Sequence, residues 1–105
     1  MSILSIEDAR STIRKILQGD KGRIQPSPYC SRRMLERQVF MDDIFHVLHW
    51  GQISQGTHPG DVENNVFRAS GGDLEDDPLN IVIRIIVSQE FIEVVTVFGE
   101  LHVKP

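Results

Sequence analysis

Two β-branched runs near the end of the chain constrain its fold more than any other feature. "LNIVIRIIV" (79–87) and "FIEVVTVF" (91–98) are rich in Ile, Val and Phe, and only "SQE" separates them. Branched and aromatic side chains lose rotamer freedom in a helix and fit a pleated surface. Two such runs joined by three residues are expected to pair as an antiparallel hairpin. In the first run Leu79, Ile81, Ile83, Ile85 and Val87 share one face; Asn80, Val82, Arg84 and Ile86 share the other.

Upstream of the hairpin, "GQISQ" reads as a short strand and "THPGDVEN" as a loop. "NVFRAS" reads as a strand and "GGDLEDDP" as a turn rich in Gly, Asp and Pro. The first half of the chain has the helical period instead. Ser5 caps a helix starting at Ile6, with Glu7 and Asp8 in its first turn. Ala9, Ile13, Ile16 and Leu17 recur along it, and Gly19 and Gly22 end it. "GRIQPSPY" is a short extended link, because Pro26 and Pro28 disfavour helix just before them. A second helix is expected from about Pro28 to Arg37. A third begins near Met41, carries Met41, Ile44, Phe45 and Leu48 on one stripe, and stops at Gly51.

This order implies an α+β fold in two layers, with two or three N-terminal helices packed on a three- to four-stranded antiparallel sheet. No linker divides the chain, so 105 residues form one domain: a helical half (5–50), a sheet (51–98) and a short tail (99–105). No apolar run approaches the ~20 residues of a membrane span. The N-terminus lacks the pattern of a signal peptide, and the lone Cys30 cannot form an internal disulfide. These features point to a cytoplasmic protein. The net charge of −4 is unevenly spread: residues 1–39 carry +4 and residues 40–105 carry −8. A basic helical half can meet a polyanion or an acidic partner, and opposed halves favour association with another copy, such as a homodimer.

Three groups of residues carry candidate chemistry. Tyr29, Arg33 and Arg37, spaced i, i+4, i+8, share a helix stripe. Two guanidiniums and a phenol on one face suit a phosphodiester, since arginine grips phosphate in a fork and stabilises developing charge. The bland reading is surface arginines, with Arg32 and Glu36 an i, i+4 ion pair. Arg68 and Arg84 form the second group. Arg84 stands mid-strand among apolar residues and must reach water or a carboxylate, with Glu93 on the next strand the obvious partner. Arg68 shares its face with Val66 and Ser70. Asp42, His46 and His49 form the third group, a stripe whose two imidazoles and carboxylate could hold a divalent metal but which, with no matching ligand motif elsewhere, reads as a polar helix face; His46 and His49 are also the nearest substitutes for a base if Tyr29 does not serve. His58 falls in a loop and His102 in the tail. Cys30 reads as a small core residue. The sequence contains no nucleotide fingerprint, phosphate-cradling glycine loop or Ca²⁺-loop spacing, so no cofactor is expected.

The run from Tyr29 to Ile53 resembles a small bacterial domain family of unknown function with the signature H-A-x-x-R-M-x-E-R-G-[IV]-[ST]-x-x-D-V-x-x-V-L-x-x-G-x-I. Arg33, Met34, Glu36, Arg37, Asp43, Leu48, Gly51 and Ile53 match it, and the resemblance extends from about Ile6 to Phe98. It implies a layout similar to the RelE, BrnT and MqsR group of bacterial toxins, an RNA-cleaving activity, and restraint by a small antitoxin protein. Arginines on an open sheet face, here Arg68 and Arg84, are what such a toxin would use. Three positions depart from the signature. Tyr29 replaces the histidine, Gln38 the glycine and Phe40 the helix-capping Ser or Thr. Histidine exchanges protons near neutral pH, whereas a tyrosine phenol, titrating near ~10, does not. If the family histidine is a base, Tyr29 removes it, and the alternative is a degenerate member or a non-enzymatic interaction module.

Overall fold

The computed structural model describes residues 3–99. Three helices form where the apolar spacing places them: α1 (Ile6–Gln18), α2 (Pro28–Arg37) and α3 (Met41–Trp50). Ser5 Oγ accepts the Asp8 amide at the start of α1. Ser27 Oγ accepts the Cys30 amide at the start of α2, and Pro28 takes the first helical position. Gln38 ends α2 in the left-handed conformation, φ 58°, which glycine adopts more easily.

The sheet has five strands: β1 (Ile24–Pro26), β2 (Gln52–Gln55), β3 (Val66–Gly72), β4 (Pro78–Ile86) and β5 (Phe91–Phe98). Their spatial order is β1-β5-β4-β3-β2. The α+β class and the helix-on-sheet layering hold, but the sheet has one strand more than the three or four expected. That strand, β1, comes from the proline-rich link and runs parallel to β5, so the sheet is mixed rather than wholly antiparallel. Pro26 has no N–H to give a ladder, but an edge strand needs only one bonded side. The Ser27 amide then donates to Val94 O at 2.9 Å and continues the pairing. No helix among the described residues is long and apolar enough to cross a membrane. Of the expected tail, residues 100–105, with His102, lie outside the described residues.

One face of the sheet carries the core. Phe67, Ala69, Leu79, Ile81, Ile83, Ile85, Ile92, Val94 and Val97 are all buried there, against Ala9, Ile13 and Ile16 of α1, Cys30 and Met34 of α2, and Ile44, Val47 and Leu48 of α3. Val87 does not join them. β4 stops at Ile86, and Val87 opens a short 3-10 turn that leaves its side chain 39% exposed. Glu90 closes this turn in the left-handed conformation, φ 48°.

A bulge changes which residues of β5 face inward. Val82 pairs with Thr96 but Ile83 pairs with Val94, so Val95 is an extra residue. Ile92 and Val94 point into the core before the bulge and Val97 after it; Val95, Thr96 and Phe98 are all only half-buried.

Asp43 ties α3 to the sheet. Phe40 at the N-cap has no side-chain acceptor, as its apolar ring predicts. Asp43 supplies the reciprocal half of a capping box, taking the Phe40 amide on Oδ2 at 2.9 Å. Its Oδ1 takes the Leu74 amide, in the turn between β3 and β4, at 3.1 Å. Both bonds are made by one buried carboxylate, so Asp43→Ala leaves two backbone donors without an acceptor. The expected loss is about 2–4 kcal/mol, read as the shift of the urea midpoint at unchanged m-value. An unchanged midpoint would show that water replaces both bonds.

Cys30 is fully buried against this core, and burial pushes its thiol up from 9.0 to about 11. The thiolate is the form that burial disfavours, so above the ordinary thiol range the unfolded chain releases a proton that the folded chain keeps. Stability contributed by the neutral thiol is therefore complete at lower pH and falls between 9.0 and about 11, by about 1.4 kcal/mol per pH unit. Urea melts from neutral pH upward should show this slope in the native chain and not in Cys30→Ala.

Candidate functional site

The five arginine and tyrosine candidates do not gather in one place. Tyr29, Arg33 and Arg37 lie on α2, which packs over the core face of the sheet, whereas Arg68 and Arg84 stand on the opposite face. On α2 the side chains diverge in their surroundings. Tyr29 is 53% exposed. Arg33 gives Nη1 to Glu36 at 3.1 Å, and its Nε is buried without a hydrogen-bond partner among the described residues. Arg37 reaches toward Gly99 at the end of β5. The ion pair expected between Arg32 and Glu36 forms at the i, i+3 spacing from Arg33 instead. Both spacings bring helix neighbours together; the half-buried Arg33 stem holds its guanidinium beside Glu36, while Arg32 projects into solvent.

Among the described residues no helix lies over the other sheet face. Arg84 and Glu93 sit opposite each other in the β4–β5 register and form an ion pair at 3.1 Å. This is the cross-strand partner that the strand pattern predicts. Both side chains remain partly in water, so the pair contributes about 0.2–1 kcal/mol. Arg68 on β3 stands opposite Val82, one diagonal away from Arg84, which is opposite Val66. Among the described residues Arg68 has no carboxylate partner. Its guanidinium carbon lies 5.6 Å from the centre of the Phe98 ring, within cation–π range.

Arg68 and Phe98 line a groove of about 550 Å³ on this face. Val66, Val82 and Val95 make much of its floor apolar, and His58 and Asp61 come in from the loop between β2 and β3. That loop is tied down locally: Asp61 Oδ2 accepts the His58 amide at 2.9 Å, and the Gly56 amide donates to Val66 O at 3.0 Å. The groove therefore offers a cation, an aromatic ring, apolar floor and an imidazole at one place. Sequence reasoning left His58 in a loop and Phe98 at a strand end. The β5 bulge is what keeps Phe98 on this side, and no local pattern announced it.

The α3 histidines do different things. His46 Nδ1 donates to Gly72 O at 3.0 Å and so helps fasten α3 to the end of β3. His49 meets the Trp50 ring edge-on, centroids 4.5 Å apart. Asp42 is exposed beside them. Among the described residues no three His, Cys, Asp or Glu side chains come together as a metal site would require. The acidic turn 73–77 spends Asp73 Oδ1 on its own Glu75 and Asp77 amides, each at 2.9 Å.

No protein-family model, characterised protein or solved structure matches this chain.

Proposed function

We propose that this chain is an RNA-directed domain of the bacterial toxin kind: a metal-free ribonuclease that works on the uncovered face of its sheet and is held in check by an antitoxin. The observation that carries this reading is the convergence of Arg68, Phe98 and His58 on one groove of that face. Cleavage of RNA without a metal is an attack of a ribose 2′-oxygen on the adjacent phosphorus, with departure of the 5′-oxygen of the next nucleotide. It needs a proton acceptor for the 2′-OH, a cation for the phosphorane charge and a proton donor for the leaving oxygen. Arg68 is the cation, and its planar fork suits two phosphate oxygens. His58 is the proton-exchanging group. The Phe98 ring and the valine floor supply stacking surface for a base, a contact that tolerates any sequence. Tyr29, which replaces the family histidine, does not line this groove, so that departure leaves the proposed chemistry in place.

A second reading, a binding module without catalysis, is favoured by the Arg84–Glu93 pair. It neutralises Arg84, leaves Arg68 as the cation without a carboxylate partner among the described residues, and leaves a surface with much apolar floor. Induction of the protein alone in a bacterial host separates the two. Growth arrest with loss of total RNA integrity supports the ribonuclease. Normal growth with intact RNA at good soluble expression overturns it in favour of the module.

A further inference from the structure

A second concave surface lies between α1, α3 and β2. It is a cleft of about 390 Å³ lined by Arg10 and Arg14 of α1, His49 and Trp50 of α3, and Ile53 of β2. The arginines are one helical turn apart and exposed, and neither has an ion-pair partner among the described residues. Trp50, the chain's single tryptophan, is 73% exposed there. β2 is the last strand on its side of the sheet, so among the described residues no strand lies beside its outer N–H and C=O groups.

We propose that this cleft docks an acidic, extended segment of another protein, which adds as a further strand along β2. Three features select that occupant. The free edge of β2 is a ladder of donors and acceptors that only another polypeptide backbone can complete. Arg10 and Arg14 select carboxylates on that strand, because guanidinium and carboxylate match in charge and fork geometry. Trp50 supplies a flat apolar anchor of the kind that concentrates binding energy at interfaces. A nucleic acid would leave the β2 ladder unused, and two arginines make a short track for a phosphate backbone whose affinity scales with the number of contacts. The site is separate from the open-face groove and does not depend on what that groove does.

The test uses Trp50 emission in the whole chain, titrated with a short peptide alternating Glu and Val to ~1 mM, a concentration that detects even the weakest specific binding. The same titration is run with a Lys and Val peptide and with a single-stranded oligonucleotide. The expected result is a saturable change with the acidic peptide only, accompanied by slower amide exchange at Gln52–Gln55. The double variant Arg10→Glu, Arg14→Glu should bind about tenfold more weakly or worse with an unchanged melting temperature, since both side chains are exposed. No response to the acidic peptide, an equal response to the basic peptide or the oligonucleotide, or no added protection of β2 would each overturn the proposal. So would a chain that sediments as a dimer with amides at Gln52–Gln55 already protected from exchange, because a second copy would then occupy β2.

Discussion

Arg68→Ala is expected to lower kcat/KM for the RNA cleavage proposed above by about 100-fold or more. Removal of one preorganised charge from a phosphorane commonly costs this much, because the lost interaction is strongest in the transition state. Arg68→Lys should recover only part of the loss: the charge remains, but the fork does not. Neither change should unfold the protein. Arg68 is half-buried, and its contact with Phe98 is worth about 0.5–1 kcal/mol. The measurement is single-turnover cleavage of an unstructured RNA beside a thermal melt. Cleavage unchanged in Arg68→Ala would remove the open face from the chemistry and turn attention back to Arg33 and Arg37 on α2. A parallel loss of cleavage and of the melting transition would show only that the fold had failed.

Gly51→Ala is expected to destabilise the fold strongly for a change of one methyl group. A Cβ at Gly51 would stand 2.6 Å from both Ser70 O and Val47 O. Both are backbone atoms. Val47 O already accepts the Gly51 amide at 2.7 Å, and Ser70 belongs to β3. Relief therefore requires α3 to move away from the strand it packs on. Overpacking of this kind costs about 2–3 kcal/mol, a sizeable part of the ~5–15 kcal/mol available to a small domain. The melting temperature should drop by roughly 10–20 °C at this chain length. A drop of only a degree or two would mean that the α3–β2 corner opens without cost. The backbone φ at Gly51 is −78°, so the need here is for space and not for a left-handed conformation.

The elements were legible because they depend on neighbours in the chain. Ser5 announces a helix start, Gly19 and Gly51 announce ends, and the 79–87 and 91–98 runs announce a hairpin. Cys30 was legible as core, and Glu93 as the partner of Arg84, for the same reason: strand alternation and a short connection fix who stands opposite whom. The parallel strand β1 was not legible. Its partner β5 lies more than sixty residues away, and a three-residue extended segment carries no periodicity to read. The anchoring role of Asp43 was hidden in the same way. Its bond to the Phe40 amide is local, but its bond to Leu74 joins two segments whose contact only packing creates.

The candidate site divides along the same line. By itself the sequence determined that Arg68 and Arg84 share one strand face and that Tyr29, Arg33 and Arg37 share one helix stripe, because both follow from periods of the backbone. Only the tertiary structure decided that these two sets lie on opposite sides of the sheet. It also decided that His58, from its loop, and Phe98 line the same groove as Arg68. Strict alternation from Ile92 and Val94 would have sent Thr96 and Phe98 into the core. One extra residue in β5 reverses the sequence of faces beyond it, and a bulge is set by the pairing of two strands rather than by the residues of either one.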